Sequence, residues 1–521
     1  MNLVEYVFAA ALDSDATAKT AVSCGGRSVT YEQLLVSVRK FGGALRSLGI
    51  AKGERVAIVA ADCPEFVAAF LGTAAVGSVA VPASTLATPA ELEYVLSHCG
   101  ARVAVVTEDQ LDKLRNVRAR LPQLETVLLI GREEGSLDGV LSFDEIVGAA
   151  NVIEVEDADD ETPAFILYTS GSTGRPKGAT HVHRSLPYTV ETYCKRVLRV
   201  SPEDRLFSSS RLFFAYGLGN SLSFPLSSGA TSILCRERPT PQTIAEVFER
   251  ERPTIFFAVP AVFRALLEHC SRGGELKTDS IGFCVSAGER LPERIYREWK
   301  ALTGLDILDG IGSTEMLHMF FSNTREKIKP GSSGVLVPGY DAKLTRREGR
   351  EVEGEGAGDL FVKGRSATVG YWNEPEKTAD SMRDGWVRTG DIYRRDAEGF
   401  YWFEGRGDDL FKVKGLWVFP AEIEEALITH AEVHEAAVVP RSDADGFNSV
   451  VAFVVLASRE AGGAATVEKL KAHIAAKLPF YKCPSEFRFA ESLPRTATGK
   501  LQRFKLREEL SNSSRSGDST S

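Results

Sequence analysis

Pro163-Ala-Phe-Ile-Leu-Tyr-Thr-Ser-Gly-Ser-Thr-Gly-Arg-Pro-Lys-Gly178 passes from an unbroken apolar run into a loop of hydroxyls, glycines and one lysine. The run, 163–169, reads as a buried strand, since continuous apolar residues suit a sheet covered on both faces. The loop reads as a phosphate cradle. Gly171 and Gly174 let the backbone approach an anion, the hydroxyls of Thr169, Ser170, Ser172 and Thr173 add donors, and Lys177 adds charge. It is not a Walker loop, because Pro176 precedes Lys177 and Gly178 follows it, and it contains no GxGxxG. A flexible Gly/Ser surface loop is the plain alternative, and the lysine and preceding strand argue against it.

Outward from this loop, similar runs recur at 55–60, 101–107, 126–131, 253–259 and 281–287, separated by helix-like stretches. That alternation predicts a layered α/β fold. The most membrane-like segment, 66–83, is interrupted by Gly72, Gly77, Ser78 and Pro82, so a helix followed by a buried strand is expected. After about residue 330 the chain turns Gly-rich, with short alternating strands at 359–364 and 385–391. A charged stretch, 405–415, then leads to a helix from Pro420, strands at 435–440 and 449–456, and a helix near 466–478. The expected organisation is a large α/β amino-terminal domain, 1–407, with a β-rich subregion from about 330. A small mobile α+β domain over 408–510 and a disordered polar tail over 511–521 follow.

Composition narrows the function classes. With 521 residues, 43% hydrophobic and 26% charged, the chain suits a soluble multi-domain protein. A net charge of -9 gives no electrostatic reason to expect a nucleic-acid or membrane partner. The eight cysteines form no CxxC pair, which predicts buried thiols in a reducing cytoplasm. The amino-terminal apolar stretch carries Glu5 and no Lys or Arg before it, unlike a secretory signal.

The loop resembles the phosphate-loop signature of the acyl-adenylate-forming superfamily of acyl- and aryl-CoA synthetases, peptide-synthetase adenylation domains and firefly-type luciferases. Further signatures follow in order: Gly312-Ser-Thr-Glu315, Thr389-Gly-Asp391, the hinge Gly405-Arg-Gly-Asp-Asp409, and Pro494-Arg-Thr-Ala-Thr-Gly-Lys500. The resemblance implies an ATP- and Mg²⁺-dependent enzyme that makes an acyl-AMP and then an acyl-CoA. It implies that Lys500 reaches the α-phosphate and the substrate carboxylate, and that Glu315, helped by Thr169, holds Mg²⁺. Ala287, Gly288 and Glu289, with Asp309, Gly310, Ile311, Gly312, Ser313 and Thr314, would receive the nucleotide, with Asp309 facing the adenine amino group. Asp391 would grip the ribose hydroxyls with Arg406 beside it. Asp408 would be the pivot that exchanges Lys500 for the thioester-forming segment Lys412, Lys414 and Gly415. Taken alone, Asp391 is a turn residue and Asp408-Asp409 a solvated linker; the ordered set is what reverses those readings.

Arg211-Leu-Phe-Phe-Ala-Tyr-Gly-Leu-Gly-Asn220 and Gly312-Ser-Thr-Glu-Met-Leu-His-Met-Phe320 resemble the benzoate-CoA ligase group. By pattern alone the aromatics are core packing. The resemblance makes Ala215, Tyr216 and Gly217 one wall of an acyl slot and Gly310, Gly312 and His318 the other, which suits a flat ring. The expected partners are therefore an aromatic carboxylic acid (benzoate, a hydroxybenzoate or anthranilate), ATP and CoA, in a protein for which a homodimer is allowed. Two rivals stay open: a free-standing adenylation enzyme that loads a carrier protein, and a non-catalytic nucleotide sensor. His181 and His183, an HxH pair beside the loop, read as structural because no third ligand is near. His430, His434 and His473 read as surface residues. Cys483 departs from the basic or bulkier residue common before Pro484, without bearing on catalysis.

Overall fold

The computed structural model describes residues 1–14, 16–131, 139–169, 175–346, 348–413, 416–442, 447–458, 462–495 and 501–517, with side chains as far as 510. They form two compact units: Met1–Ala342 with Phe361–Arg388, and Lys343–Leu360 with Thr389–Ser521.

The first unit is built on two large sheets. One has, among the described residues, the strand order Val335–Leu336, Met319–Ser322, Ile307–Gly312, Phe283–Ser286, Ile255–Ala258, Arg205–Ser208, Thr231–Leu234, Thr20–Cys24 and Arg27–Thr30. The other runs Gly370–Tyr371, Lys177–Val182, Pro163–Thr169, Val79–Pro82, Arg55–Val59, Val103–Thr107, Thr126–Ile130 and Val140–Ser142. Their central strands pair in parallel, and helices such as Pro64–Ala75, Pro260–Ser271 and Glu293–Thr303 cover them. The apolar runs that announced strands are buried on both faces, as parallel strands require. Segment 66–83 is a helix ending at Ala75 and the strand Val79–Pro82, and no described helix is long and apolar enough to cross a membrane.

Each sheet has its own core. Leu92, Leu96, Val106, Leu111 and Leu129 pack in one, and Phe248, Phe256, Phe263 and Trp299 in the other. Burying each such side chain contributes roughly 1.5–3 kcal/mol. Six cysteines are buried and two half-buried, all as free thiols.

The second unit carries the antiparallel pairing of Thr389–Arg395 with Tyr401–Arg406 and the hairpin Phe411–Val413 with Leu416–Val418. A three-stranded sheet, Val433–Ser442, Asn448–Leu456 and Glu486–Phe489, is flanked by helices Pro420–Ile428, Ala464–Ala475 and Arg503–Gly517. Compact packing divides the chain at Thr389, within strand Trp386–Arg395. Strand Tyr401–Arg406 is hydrogen-bonded to residues 391–395, all of them inside the β-rich subregion expected from about 330 to 407. The last helix continues to Gly517, past the point where a disordered tail was expected. Leu506 and Leu510 are buried in its first turns, and hydrogen bonding propagates the helix from that anchor.

Glu424 ties this unit together. Its two carboxylate oxygens accept from Arg503 Nη2 at 2.8 and 2.7 Å, one of them also from Arg503 Nε at 3.3 Å and from the Val438 N–H at 2.7 Å, with both side chains mostly buried. Glu424→Ala therefore removes a bidentate acceptor and leaves a buried N–H without one, at a cost of about 3 kcal/mol. Urea unfolding of the variant checks this; a loss below about 1 kcal/mol would rank the contact with exposed surface pairs.

Candidate active site

Strands Pro163–Thr169 and Lys177–Val182 are antiparallel partners, with Thr169 opposite Lys177. The phosphate-loop motif is thus the connection of a hairpin, and its central residues Ser170, Gly171, Ser172, Thr173 and Gly174 lie outside the described residues. The flanks are buttressed from behind. Tyr168 Oη meets His98 Nδ1 at 2.8 Å, the Arg175 guanidinium lies over the Tyr94 ring, and the Trp372 N–H donates to the Gly178 carbonyl at 2.7 Å.

Glu315 comes from the other sheet. Strand Ile307–Gly312 turns back into Met319–Ser322, and Gly310 and Gly312 are needed because a Cβ there would sit 2.5 Å from the Phe321 carbonyl oxygen and 2.4 Å from that of His318. Between the strands, three successive carbonyls are clamped. His181 Nε2 donates to Thr314 O at 2.8 Å, the Thr368 N–H donates to Glu315 O at 2.7 Å, and Ser366 Oγ donates to Met316 O at 2.8 Å. Ser313 Oγ accepts from the Met316 N–H at 3.2 Å. This clamp holds Leu317 at φ +66°, a left-handed conformation that costs a non-glycine residue roughly 1–2 kcal/mol.

The Glu315 side chain meets Lys177 through a residue not singled out in the sequence. Tyr371 Oη donates to Glu315 Oε1 at 2.8 Å, and the Lys177 ammonium lies 5.0 Å from the centre of the Tyr371 ring. Burial, aided by the Glu315 charge, holds the Tyr371 hydroxyl above its ordinary pKa, so it stays a donor. Among the described residues, Glu315 makes no ion pair, and no three acidic, His or Cys side chains cluster to form a metal cage. A half-buried carboxylate with free lone pairs beside a phosphate loop fits Mg²⁺, which binds through one or two carboxylates plus phosphate oxygens and keeps several waters.

The expected nucleotide segments lie side by side. Ser286 pairs with Asp309 at the carboxyl ends of adjacent parallel strands, so Ala287, Gly288 and Glu289 emerge beside Gly310 and Ile311, where open α/β sheets bind ligands. Gly288 adopts φ +93°. Asp309 is buried, accepts from the Leu291 N–H at 3.4 Å, and is pushed up to about 7 by burial.

The residues expected at the acyl slot lie near one another. Asp62 Oδ1 accepts from the Leu212 N–H at 3.1 Å, fixing the loop that leads to Ala215, and a Cβ on Gly217 would lie 1.9 Å from the Arg211 carbonyl oxygen. Tyr216 Oη donates to Val285 O at 3.2 Å. His318 is buried among Tyr193, Tyr216 and Phe224, with ring centres 4.5–5.6 Å away. Its Nε2 donates to Asn220 Oδ1 at 3.2 Å, and burial pushes its pKa down to about 3, so the ring is neutral. Asn220 sits in a π-helical stretch, Gly219–Ser223, inserted between α-helical turns, and Gly219 leaves the room that His318 fills. Only the π-register offers the amide to the imidazole, and a sequence periodicity does not report it.

In the second unit, Arg406 donates to the buried Asp391 at 3.0 Å, and the Asp391 N–H donates to Thr389 Oγ1. Asp408 is exposed in the turn Gly407–Asp409, whereas Asp409 is held by Arg507 at 2.7 Å and Arg503 at 3.4 Å. The Lys412 ammonium lies 4.8 Å from the centre of the Trp417 ring. Lys414, Gly415 and Lys500 lie outside the described residues. The histidines read as surface residues are half-buried: His473 bonds Ala426 O at 3.0 Å and joins two helices, a tertiary contact that polarity does not signal. His181 and His183 are both buried, and His183 Nδ1 accepts from the Leu3 N–H.

The family model for AMP-binding enzymes matches residues 9–372, and that for the AMP-binding enzyme C-terminal domain matches 422–500. The chain belongs to the AMP-binding enzymes. It is 43% identical over 494 residues to a benzoate CoA ligase of Thauera aromatica, covering 94% of this chain and 92% of the relative. It is 38% identical to a 4-hydroxybenzoate CoA/benzoate CoA ligase of Rhodopseudomonas palustris, covering 92% and 89%. The crystal structure of the anthranilate CoA ligase AuaEII with anthranoyl-AMP matches with a TM-score of 0.92 and 36% identity, over 99% of this chain and 98% of that one.

In this AMP-binding enzyme, Asp309 gives a pH signature. Its folded pKa lies above the ordinary carboxylate value of 3.8, so between there and about 7 unfolding releases a proton. Its contribution to stability is therefore lost as pH rises through that window. Asp309→Asn does not titrate, so its melting temperature should gain on the parent's from pH 4 to pH 7 and run level above. A constant difference across that range would place the titration elsewhere.

Proposed function

We propose that this chain is an ATP-dependent aryl-CoA ligase that activates benzoate or a hydroxy- or amino-benzoate as acyl-AMP and transfers the acyl group to CoA. The observation that supports the reading is one compact unit in which Tyr371 bridges Lys177 and Glu315 while Tyr216 and His318 pack together beside the carboxyl-end segments of the same sheet.

A free carboxylate is a poor electrophile because its leaving group would be oxide. In the first step its oxygen attacks the α-phosphorus of ATP, and the bond to the pyrophosphate oxygen breaks. Lys177 and the loop donors hold the phosphates, and Lys500 stabilises the charge that develops at the α-phosphate. Mg²⁺ held by Glu315 and the phosphates would neutralise the departing pyrophosphate. Ala287, Gly288 and the 309–314 segment seat the adenine, and Asp391 accepts from the ribose hydroxyls with Arg406 steadying it. In the second step the CoA sulfur attacks the acyl carbonyl carbon, the bond to AMP breaks, and the thiol proton passes to solvent. Rotation at Asp408 withdraws Lys500 and brings Lys412, Lys414 and Gly415 to the thiol path. Tyr216, His318 and the glycines on either side hold the aryl ring. ATP and CoA supply fits a cytoplasmic location.

Pyrophosphate release with a panel of aromatic and aliphatic acids, followed by acyl transfer to free CoA or to a pantetheinylated carrier, tests the reading. Release independent of any acid would leave a nucleotide sensor, and transfer to the carrier alone would leave a loading enzyme. Lys500→Ala should lower adenylation about 10²–10³-fold while presupplied acyl-AMP and CoA still give thioester. Equal loss in both steps would contradict the exchange of segments. His318→Ala should reorder substituted benzoates by kcat/KM and leave the KM for ATP in place; the reverse pattern would put His318 outside the acyl site.

A further inference from the structure

Tyr371 occupies a position that neither the phosphate-loop motif nor the Gly312–Glu315 motif contains. It lies in a two-residue strand, Gly370–Tyr371, added antiparallel to Lys177–Val182 with Tyr371 opposite Ala179. Side chains alternate along a strand, so Lys177, two residues from Ala179, shares the face of Tyr371 and reaches its ring diagonally. The hydroxyl at the other end of the ring crosses to the second sheet and donates to Glu315 Oε1. A single side chain thus touches both the cation and the carboxylate that flank the triphosphate.

Its orientation is over-determined. The Tyr371 N–H donates to Thr378 Oγ1 at 2.9 Å, and the neighbouring Thr368 N–H and Trp372 N–H donate to the carbonyls of Glu315 and Gly178. Gly370 is at φ +148°, where a Cβ would press on Thr378 at 2.9 Å. Tyr371 itself is 8% exposed. A tyrosine serving only as packing would leave its hydroxyl in water or on a backbone carbonyl. Here the donor is spent on a carboxylate for which no other side-chain donor is found among the described residues, and it fixes one oxygen of that carboxylate.

We infer that Tyr371 is a positioning residue for nucleotide activation, orienting the Glu315 carboxylate for the metal through its hydroxyl and seating the Lys177 ammonium for the phosphates on its ring. The inference rests on Glu315 as the metal-binding carboxylate. The two functions separate by atom. Tyr371→Phe keeps the ring and loses the hydrogen bond, whereas Tyr371→Leu loses both. Removing a partner of a metal ligand typically costs ten- to a hundredfold in metal affinity, and an exposed cation–π contact is worth two- to fivefold.

The test uses the full chain with a non-hydrolysable α,β-methylene ATP and Mn²⁺, binding being read from the free-Mn²⁺ electron paramagnetic resonance signal, without turnover. Tyr371→Phe should raise the Mn²⁺ dissociation constant roughly tenfold while metal-free analogue binding and the melting temperature stay at the parent values. Tyr371→Leu should also weaken metal-free analogue binding two- to fivefold. Combined with Glu315→Gln, Tyr371→Phe should add nothing further, because the hydrogen bond acts only through that carboxylate. An additive double variant, or a Tyr371→Phe that binds Mn²⁺ like the parent while Glu315→Gln does not, overturns the role of Tyr371. Parent-like binding by Glu315→Gln instead removes Glu315 from the metal site, and with it the reading on which the inference stands. A Tyr371→Phe with a lowered melting temperature and unchanged Mn²⁺ affinity marks the tyrosine as packing and also overturns the proposal.

Discussion

The addition of a two-residue strand to the edge of Lys177–Val182 is the constraint on which the first unit's chemistry depends. That edge would otherwise expose unpaired N–H and C=O groups beside the phosphate loop. Pairing with Gly370–Tyr371 closes it, and the same few residues reach back to the 314–316 segment through Thr368 and Ser366. One short segment therefore joins the loop of one sheet to the acidic turn of the other. The spacing between Lys177 and Glu315 is set by backbone hydrogen bonds rather than by two long side chains finding each other. Side-chain entropy alone would work against such a pair, since freezing a Lys or Glu costs up to roughly 2 kcal/mol.

Burial sorts the titratable groups around this junction. His181, pushed down to about 4 by burial, stays neutral while donating to Thr314 O, so it adds no charge next to Glu315. His318 is neutral for the same reason and can line an apolar slot without a counter-ion. Asp62, pushed up to about 6 by burial with Arg211 opposing, holds the backbone of the loop that leads to the aryl wall. The buried histidines, held neutral, and the Arg211-paired Asp62 build the frame, while Lys177 and Glu315 are left half-buried rather than enclosed.

Much of this was legible in the sequence because its signals are local. Apolar runs gave the central strands, since a parallel strand buried on both faces cannot alternate, and 163–169 and 103–107 behave so. The glycines of the 310–312 segment and the lysine after Pro176 announce close backbone approach and anion binding within a few residues. What was not legible is set by distance along the chain. Tyr371 lies 56 residues from Glu315 and reads as an aromatic in a turn-rich stretch. Asn220 meets His318 across 98 residues and only because a π-helical register turns it inward.

The hinge illustrates how a local reading sharpens once partners are known. Asp408 and Asp409 are indistinguishable as sequence, two acidic residues after Gly407. In the fold their fates differ. Asp409 is locked by Arg507 and Arg503, which belong to the last helix, so it must move with that helix and with the Glu424 contact that anchors it. Asp408 stands exposed one residue earlier, just past the strand Tyr401–Arg406. A rotation that carries the terminal lysine away must be taken up by torsions upstream of the first residue fixed to the moving body. Of the two acidic residues, Asp409 is the one fixed to the last helix, so the proposed pivot would fall on its exposed neighbour Asp408.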